Sequence, residues 1–409
     1  MNGSIKSVSK RKRSGCGIAA LQPNPAWASL ALFDRKGWRR MAFGEFAESI
    51  GERVEPKDAQ EEIYVGLEHL DPQCLHIRRW GQGSDVIGGK LRFRKGDIIF
   101  GKRRAYQRKL AVAEFDGICS AHAMVVRARP DKVLPELLPF LMMSDRFMNR
   151  AVEISVGSLS PTINWTTLKL ETFDLPPLGQ QRRIAAILWE VDAALRCARE
   201  QGDSIFGYLQ AKIASAMQRE VLSTSDRNSQ GYLGDLFTER RQNGFGDLPI
   251  LSVTIDGRIV RRESLERNVI DKTGTEKYLR VCPGDIAYNT MRMWQGSCGV
   301  VSEEGIISSA YTVLIPVTAK VDGKFWNYAF HTPQLLDAFR RYSTGVAADR
   351  WRLYYRNFAK ISVREPSLKR QRELVCSFEE IEKAKAQSDK YQKNLAEVLR
   401  SLLNYCTQT

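Results

Sequence analysis

The sequence is poor in the residues that build metal centres and disulfide frameworks. Its 409 residues include eight cysteines and four histidines. The cysteines form no Cys-x-x-Cys pair and the histidines are far apart, so no zinc-ligand spacing occurs and no metal site is expected. Scattered cysteines of this kind are typical of the reducing cytoplasm, which is the predicted location. Because no run of about 18 apolar residues occurs, no membrane-spanning helix is expected.

Negative charge is scarce relative to positive charge. Lys and Arg number 62 against 47 Asp and Glu, which gives a net charge of +15 and a pI of about 9.5. Between Arg78 and Lys109, 11 basic residues are opposed only by Asp85 and Asp97. This favours a polyanionic partner, nucleic acid before an anionic membrane, because phosphates would relieve the repulsion. A merely basic soluble protein is the alternative. Residues 1–35 are predicted to form a mobile basic arm.

The chain contains an internal repeat of a domain followed by a helix. "KGDIIFGK" at Lys95 returns as "PGDIAYNT" at Pro283, and "DGICSAHAMVV" at Asp116 returns as "EGIISSAYTVL" at Glu304. The anchors 188 positions apart are Gly96 and Gly284, Gly117 and Gly305, Ser120 and Ser308, and Gly157 and Gly345. Those 190 positions apart are Gly44 and Gly234, Leu178 and Leu368, and Gln181 and Gln371. Two copies related by a pseudo-two-fold are predicted; two unrelated β-rich domains that share turn glycines are the alternative.

Each copy is β-rich first and helical afterwards. "GDIIF" and "GDIAY" are typical of a turn followed by a short strand, and "AMVVRA" and "YTVLIPV" are typical of further strands. One short helix is predicted over residues 134–152 and one over residues 323–342. A last strand is predicted in each copy, within "LKLETFDL" and "AKISVREP".

After each β-rich domain, apolar residues follow the alternating steps of four and three that are typical of a coiled coil. The first stripe consists of Ile184, Leu188, Val191, Leu195, Ile205 and Leu209, with the small residues Ala198 and Gly202 between them. The second consists of Leu374, Phe378, Ile381, Leu395, Leu399 and Leu402, with the polar residues Lys385, Ser388 and Gln392 in its middle. The predicted fold is therefore α+β, with two globular β-rich domains separated by a pair of long helices that form an antiparallel coiled coil. Two amphipathic helices, each packed on its own domain, are the alternative.

The stretch Asp174-Leu-Pro-Pro invites comparison with a catalytic loop. Amino-methyltransferases of DNA hold the base amine with an Asp/Asn-Pro-Pro-aromatic loop. Here Leu175 separates the acid from the prolines, Leu178 stands in place of the aromatic ring, and no glycine-rich cofactor loop follows a strand. Pro177 suits a helix N-terminus, where its missing N–H costs nothing, so the stretch is interpreted as a hinge.

The run from Gly157 to Gln181, "GSLSPTINWTTLKLETFDLPPLGQQ", resembles the specificity subunit of Type I restriction–modification enzymes. The resemblance extends from about residue 38 to the C-terminus. It implies two target-recognition domains, each of which reads one half of a split site in double-stranded DNA, and two conserved spacer helices. The corresponding segments are residues 36–175 and 225–366 for the domains and 176–224 and 367–409 for the helices.

The resemblance also implies partner proteins. Two methyltransferase (modification) subunits, which bind S-adenosylmethionine, would dock on the helices, and restriction/translocase subunits that use ATP and Mg would join them. No cofactor is expected in this chain, which is interpreted as a non-catalytic recognition subunit. The second copy departs from the family pattern, with "TGVAADRW" for the Gly-Ser-x-x-Pro run and no Leu-Pro-Pro. Gln180 and Arg370 occupy the position of the family's usual acid before the helix glutamine.

Polar and basic residues near the Gly-Asp strands and the later glycines are the candidates for contact with DNA, because Arg suits guanine while Asn and Gln suit adenine. In the first copy they are Lys102, Arg103, Arg104, Tyr106, Gln107, Arg108, Ser158, Ser160 and Asn164. In the second copy they are Asn289, Arg292, Trp294, Gln295, Arg350 and Arg352. A phosphate contact or a solvated loop charge is the alternative for each, and Trp294 would equally suit a core. Asp97 and Asp285 are interpreted as turn residues rather than catalytic acids.

Two other functions remain open from the residues alone. A self-contained DNA methyltransferase or nuclease would need a cofactor loop or a cluster of metal-binding acids, and neither is visible in the sequence. A coiled-coil adaptor would use its basic face to bind RNA or an acidic protein. The steep salt dependence expected of specific duplex binding distinguishes a DNA reader from such an adaptor.

Overall fold

The computed structural model describes residues 34–60, 62–222, 230–254, 257–264, 275–345 and 351–407. These residues divide into two compact units. Unit 1 contains the described residues up to Glu200 together with those from Asp389 onwards, and unit 2 contains those from Gln201 to Ser388. The predicted N-terminal arm, apart from Asp34 and Arg35, lies outside the described residues.

Unit 1 is built from short strands and short helices that precede a long helix. Its elements are β1 (Arg39–Ala42), α1 (Phe43–Phe46), β2 (Ala47–Ile50), β3 (Arg53–Val54), β4 (Ile63–Val65), β5 (Gly81–Gln82), β6 (Lys90–Phe93), β7 (Ile98–Phe100), β8 (Leu110–Val112), β9 (Gly117–Cys119), β10 (Met124–Ala128), α2 (Leu138–Met143), α3 (Asp145–Glu153), α4 (Trp165–Leu168), β11 (Thr172–Leu175) and the first part of α5 (Leu178–Glu220). The strands form sheets in the orders β2-β10-β7-β8, β3-β6-β9-β4-β5 and β1-β11. All pairs are antiparallel except β4 with β9.

Unit 2 repeats this arrangement after the remainder of α5. Its elements are β12 (Gln230–Tyr232), α6 (Leu233–Leu236), β13 (Phe237–Glu239), β14 (Leu251–Val253), β15 (Ile259–Arg261), β16 (Leu279–Val281), β17 (Ile286–Asn289), β18 (Cys298–Val300), β19 (Gly305–Ile307), β20 (Tyr311–Pro316), α7 (Gly323–Phe330), α8 (Pro333–Tyr342), α9 (Tyr355–Phe358), β21 (Ser362–Arg364) and α10 (Leu368–Thr407), whose last part belongs to unit 1. The sheet orders are β13-β20-β17-β18, β12-β21, β14-β15 and β16-β19.

Two sheets of each unit have the same strand order, which confirms the predicted internal repeat. The order β2-β10-β7-β8 corresponds strand by strand to β13-β20-β17-β18, and β1-β11 corresponds to β12-β21. The turn before the central strand is also the same, because Gly96 and Gly284 both have φ of 92°. Only glycine adopts this backbone conformation without strain, which explains why both copies keep it.

Each unit has its own aromatic core beneath the first sheet. In unit 1 the rings of Phe43 and Phe46 are fully buried, with centroids 5.2 Å apart, and Phe147 packs on Phe43. In unit 2 Phe237 and Trp326 are fully buried, with centroids 6.0 Å apart. Because the short helix before β2 or β13 contributes to these cores, it fixes where the chain enters the sheet.

The single helices predicted over residues 134–152 and 323–342 were wrong, since each is a pair of helices. Ser144 has extended backbone between α2 and α3, and its Oγ accepts a hydrogen bond from the Phe147 N–H at 3.3 Å. A serine that caps the second helix in this way ends the first one. In unit 2 Pro333 begins α8, and a proline lacks the N–H that would continue α7.

The long helices pair antiparallel, as predicted, and each unit shows this separately. In unit 1 Leu195 and Ala198 of α5 cluster with Leu395 of α10. In unit 2 Glu220, the last residue of α5, lies 2.9 Å from Arg370 in the first turn of α10. The predicted apolar stripes are buried or half-buried along both helices. Their ends also pack on the domain cores, so the helices contact each other and their domains.

Gln392, in the polar middle of the second stripe, contacts Ala198, one of the small residues of the first stripe. Nε2 of Gln392 donates a hydrogen bond to the backbone carbonyl of Ala198 at 3.0 Å. Ala198 is buried, so its small side chain lets the glutamine reach the backbone of α5. A polar contact at one position of an otherwise apolar seam specifies the register of the two helices.

Candidate nucleic-acid interface

Two loops of unit 1 lie side by side and bring the candidate residues of the first copy together. One follows β7 (residues 101–109) and is called the first loop, and the other (residues 155–164) is called the glycine loop. The Ile163 N–H donates to the Lys102 carbonyl at 3.0 Å, and the Arg104 N–H donates to the Pro161 carbonyl at 2.8 Å. The Arg104 side chain also donates to Oγ of Ser160 at 3.3 Å. Sequence-distant candidates therefore form one surface.

Unit 2 has a corresponding pair of loops, residues 290–297 and residues 343–354, of which 343–345 and 351–354 are described. The Leu353 N–H donates to the Thr290 carbonyl at 2.9 Å, which reproduces the contact between Ile163 and Lys102. Thr344 and Arg352 pair across the glycine loop of this unit. Arg350, another candidate, lies outside the described residues.

The candidates differ in how far they are accessible. The exposed ones are Arg104, Tyr106, Ser158, Asn164, Arg292, Gln295 and Arg352. The half-buried ones are Lys102, Arg103, Gln107, Arg108, Ser160, Asn289 and Trp294. An exposed side chain on a loop is accessible to a ligand, whereas a half-buried one is accessible only in part.

The half-buried candidates Arg108, Asn289 and Trp294 have partners within or beside their own loops. Arg108 lies 2.6 Å from Oδ1 of Asp145 and donates to the Met143 carbonyl. Asn289 accepts from the Met291 N–H at 2.9 Å through its side-chain oxygen, and the ring N–H of Trp294 donates to the Met291 carbonyl. These contacts shape the loops, and a base or phosphate would have to compete with them.

The first loops of the two units share the pattern Arg-x-aromatic-Gln. It is "RAYQ" from Arg104 to Gln107 and "RMWQ" from Arg292 to Gln295, 188 positions later. The last three residues of each form a single 3-10 turn, Ala105–Gln107 and Met293–Gln295. The same side-chain types thus stand at the same place on both units.

One basic residue of this surface was missed by the sequence analysis. His122, in the turn before β10, is exposed, and its Nε2 lies 3.2 Å from Nη1 of Arg103. Partial burial, Arg103, Lys102 and Lys90 together hold the pKa of His122 below its usual value. The sequence shows a histidine at this place in "CSAHAMVV", but only the fold brings it to the first loop.

The aspartates of the two Gly-Asp turns are buried and paired. Asp97 accepts the Arg94 N–H at 2.8 Å within its own turn and is bound through both carboxylate oxygens by Arg127. Asp285 accepts the Cys282 N–H at 2.8 Å and is bound in the same way by Arg240. Arg127 lies on β10 and Arg240 directly follows β13, so the same ion pair is built from different strands. Such carboxylates hold the turn.

The Asp174-Leu-Pro-Pro stretch is a hinge, as predicted. Asp174 lies in β11 opposite Arg40, with its carboxylate 3.7 Å from the guanidinium of Arg146. Helix α5 begins directly after Pro177, whose carbonyl accepts the N–H groups of Gln180 and Gln181 at 2.8 and 3.0 Å. The acid therefore belongs to a strand and the prolines to a helix start.

The described residues contain neither a candidate metal centre nor a membrane-spanning helix. No group of three or more His, Cys, Asp or Glu side chains among them could hold a metal ion. No helix among them is both long enough and apolar enough to cross a membrane.

Comparisons with known proteins agree with this architecture. The family profile of the Type I restriction modification DNA specificity domain matches residues 86–202. The Type I restriction enzyme EcoDI specificity subunit of Escherichia coli is 30% identical over 156 residues. That match covers 36% of this chain and 33% of the E. coli subunit, so it spans one third of the relative's length.

Two solved structures resemble the whole fold. A chain from a structure of the type I R-M system has a TM-score of 0.56 and 20% identity, with 90% of this chain and 97% of that chain covered. The type I restriction–modification S subunit from M. genitalium has a TM-score of 0.51 and 14% identity, with 91% and 96% covered. The predicted resemblance to the specificity subunits of Type I restriction–modification enzymes is confirmed, and residues 86–202 match that family's DNA specificity domain.

Proposed function

We propose that this chain is the DNA-recognition subunit of a Type I restriction–modification enzyme and that each unit reads one half of a split duplex site. The observation that carries the proposal is the pair of loops present on both units. One backbone contact between the loops recurs, Ile163 with Lys102 and Leu353 with Thr290, and both first loops carry the pattern Arg-x-aromatic-Gln, whereas other exposed side chains differ. A repeated frame with different side chains is what reading two different half-sites requires.

The side chains on these loops have the chemistry for base recognition. Arg104 and Arg292 present guanidinium groups that match the two acceptors of guanine, and Gln107 and Gln295 present amides that match adenine. The basic residues around them would add binding affinity that is independent of the DNA sequence, because each phosphate contact releases condensed counterions. Base recognition and phosphate binding would thus occur on the same surface.

The long helices are proposed to set the spacing between half-sites and to dock two methyltransferase subunits. The first part of α5 and the last part of α10 belong to unit 1, and the remainder of each helix belongs to unit 2. The chemistry is proposed to reside in the partners: S-adenosylmethionine on the methyltransferase subunits, and ATP with Mg on restriction/translocase subunits. This chain would carry no catalytic group of its own.

Selection from a pool of random duplexes tests the proposal. The immobilised full chain, alone and with its methyltransferase subunits, is expected to enrich two short conserved blocks separated by a gap of fixed length. Affinity for the enriched duplex should fall steeply with salt. Enrichment of one contiguous block, a preference for RNA, or methyl transfer to DNA by the purified chain alone would overturn the proposal.

A further inference from the structure

Two basic side chains of unit 1, those of Arg103 and His122, meet beside the first loop, and that of Lys102 is near enough to act on the pKa of His122. Arg103 and His122 are linked twice, because the Arg103 N–H donates to the His122 carbonyl at 3.3 Å and the side chains approach to 3.2 Å. Lys102 is the neighbour of Arg103 in the chain and is half-buried. His122 is exposed, so the cluster is open to a ligand.

No acid balances this cluster within the described part of unit 1. None of Lys102, Arg103 and His122 forms an ion pair with a carboxylate there. Burial lowers the pKa of Lys102, the nearby Cys119 opposes that shift, and Arg53 adds to it. Burial also raises the pKa of the Cys119 thiol to about 12, so this group is neutral at physiological pH. A lysine and an arginine without a carboxylate partner, next to a histidine that can take up a proton, are suited to an anion.

The groups that face His122 from neighbouring elements are also cationic. Lys90 on β6 adds to the repulsion, as do Arg103 and Lys102 of the first loop. The Lys90 ammonium is already held by the carbonyls of Ile87 and Gly88. Lys90 therefore supplies charge to the cluster, and the donors available to a ligand come from the other three residues.

Unit 2 lacks the cluster at the corresponding positions. Thr290, Met291 and Ala310 stand where unit 1 has Lys102, Arg103 and His122, each 188 positions later. The Thr290 hydroxyl donates to the Ala310 carbonyl at 2.8 Å. In unit 2 the first loop is therefore held to the turn before β20 by a hydrogen bond between uncharged groups. The fold does not need these three side chains, because its own second copy is built without them.

We propose that Lys102, Arg103 and His122 form a phosphate-binding cluster that grips the DNA backbone at unit 1 and has no counterpart in unit 2. The inference deepens the proposed function and rests on it. A backbone phosphate offers acceptor oxygens to a guanidinium, an ammonium and an imidazolium at once, which makes short charge-assisted hydrogen bonds. The two units would then contribute unequally to sequence-independent affinity.

Proton uptake is expected to accompany binding. In the free chain the cationic neighbours keep the pKa of His122 below its usual value, so the imidazole is largely neutral at pH 7. A phosphate placed against the ring favours the charged form, and binding then takes up a proton. Affinity should therefore rise as the pH falls.

The variants that test the cluster are supplied by the repeat: His122→Ala, Arg103→Met and Lys102→Thr place the unit 2 residue at each position. Lys36→Thr removes one exposed positive charge from the same unit, away from the first loop, and serves as the control. The dissociation constant of the full chain for its selected duplex is measured at pH 6 and pH 8 and over a salt series. Circular dichroism and melting confirm that each variant is folded.

The wild-type dissociation constant is expected to rise about 3- to 10-fold from pH 6 to pH 8, and that of H122A by less than about twofold. R103M and K102T should each make the slope of log affinity against log salt shallower by about 0.9, while K36T leaves it unchanged. The phosphate-binding cluster would be rejected, and the proposed function would stand, on any one of three results. These are duplex binding by the wild type with no pH dependence, an H122A variant that keeps the wild-type pH dependence, or salt slopes unchanged in R103M and K102T. A wild type with no duplex preference would overturn the proposed function as well.

Discussion

Gln181 and Gln371, buried near the starts of the two long helices, make the same three hydrogen bonds. In unit 1 the Gln181 amide accepts from the Leu134 N–H and donates to the carbonyls of Lys132 and Pro176, at 2.8, 2.9 and 2.9 Å. In unit 2 the Gln371 amide accepts from the Asp322 N–H and donates to the carbonyls of Lys320 and Pro366, at 2.9, 3.1 and 2.8 Å. Gln181 thus links α5 to the domain of unit 1 by hydrogen bonds, and Gln371 links α10 to the domain of unit 2 in the same way.

Replacement of either glutamine by alanine should destabilise only the unit that contains it. Q181A and Q371A each remove the partner of one backbone N–H and two carbonyls, of which those of Pro176 and Pro366 make buried hydrogen bonds, and the expected loss in free energy of unfolding is about 2–4 kcal/mol. Hydrogen exchange of the full chain localises the loss to one unit. R182A and R372A, which change the exposed neighbours, are the matched controls. Equal loss of protection from hydrogen exchange in both units would contradict the claim that each glutamine stabilises only its own unit.

A histidine links the domain of unit 1 to its helix and should make stability depend on pH. Nε2 of His76 lies 2.7 Å from Oδ2 of Asp192 on α5, and Nδ1 lies 2.7 Å from Oε1 of Glu114. The hydrogen bond to Asp192 raises the pKa of His76 most, burial opposes it, and Glu114 adds to the rise. Because the folded pKa is raised, this stabilisation is complete below the unfolded pKa near 6.5. It is lost as the pH rises through the folded value.

The variant H76Q should therefore lose more stability at pH 6 than at pH 9. The expected loss at pH 6 is about 1–2 kcal/mol, since both hydrogen bonds are charge-assisted and partly accessible to water. Urea unfolding at the two pH values measures it. D192N should weaken the pH dependence in the same way, whereas E190Q, at an exposed position of α5, should not. A deficit in H76Q that grows with pH would contradict the assignment.

The coiled coil should tolerate no enlargement of Ala198. The side chain is buried, and Gln392 reaches the carbonyl of Ala198 across the seam. Ala198→Leu would overpack this point and displace the glutamine, with an expected loss of about 1–3 kcal/mol. Melting of the full chain measures the loss, and Arg196→Leu at an exposed position is the control. Equal melting temperatures for A198L and R196L would mean that the seam is loosely packed here.

Features set by local sequence and by the repeat could be predicted. The glycines at 96 and 284 mark turns that require positive φ, and the stripes from Ile184 and from Leu374 have the spacing of a seam. Two copies of each signal strengthen one another, because chance rarely repeats several anchors in the same order. The breaks at Ser144 and Pro333 were also visible as a cap and a helix-starting proline, but the continuous apolar pattern around them favoured one helix.

Contacts made by residues distant in sequence could not be predicted. His122 joins Arg103 only because the turn before β10 folds against the first loop. Arg108 was a candidate from its place in a basic run, yet its guanidinium meets Asp145, a carboxylate that also accepts from Arg400 and Asn404 of α10. No periodicity carries such information, since it depends on how whole elements pack.

Arg104 and Arg292 should each govern the readout of one half-site. R104A and R292A are expected to reduce discrimination at one base position by about 1–3 kcal/mol, because a bidentate arginine rejects bases other than guanine. Competition with duplexes that carry single-base substitutions maps the affected position. The two variants should affect different halves. If either weakened all duplexes equally, that arginine would be a phosphate contact.

The most direct test of the account is the DNA sequence recognised after a domain exchange. Residues 36–175 are replaced by the corresponding domain of a relative with a different target, and the bound and methylated sequences are determined for the full chain with its partner subunits. One half of the site is expected to change, while the other half and the gap between them are retained. A change in both halves, or in neither, would contradict it.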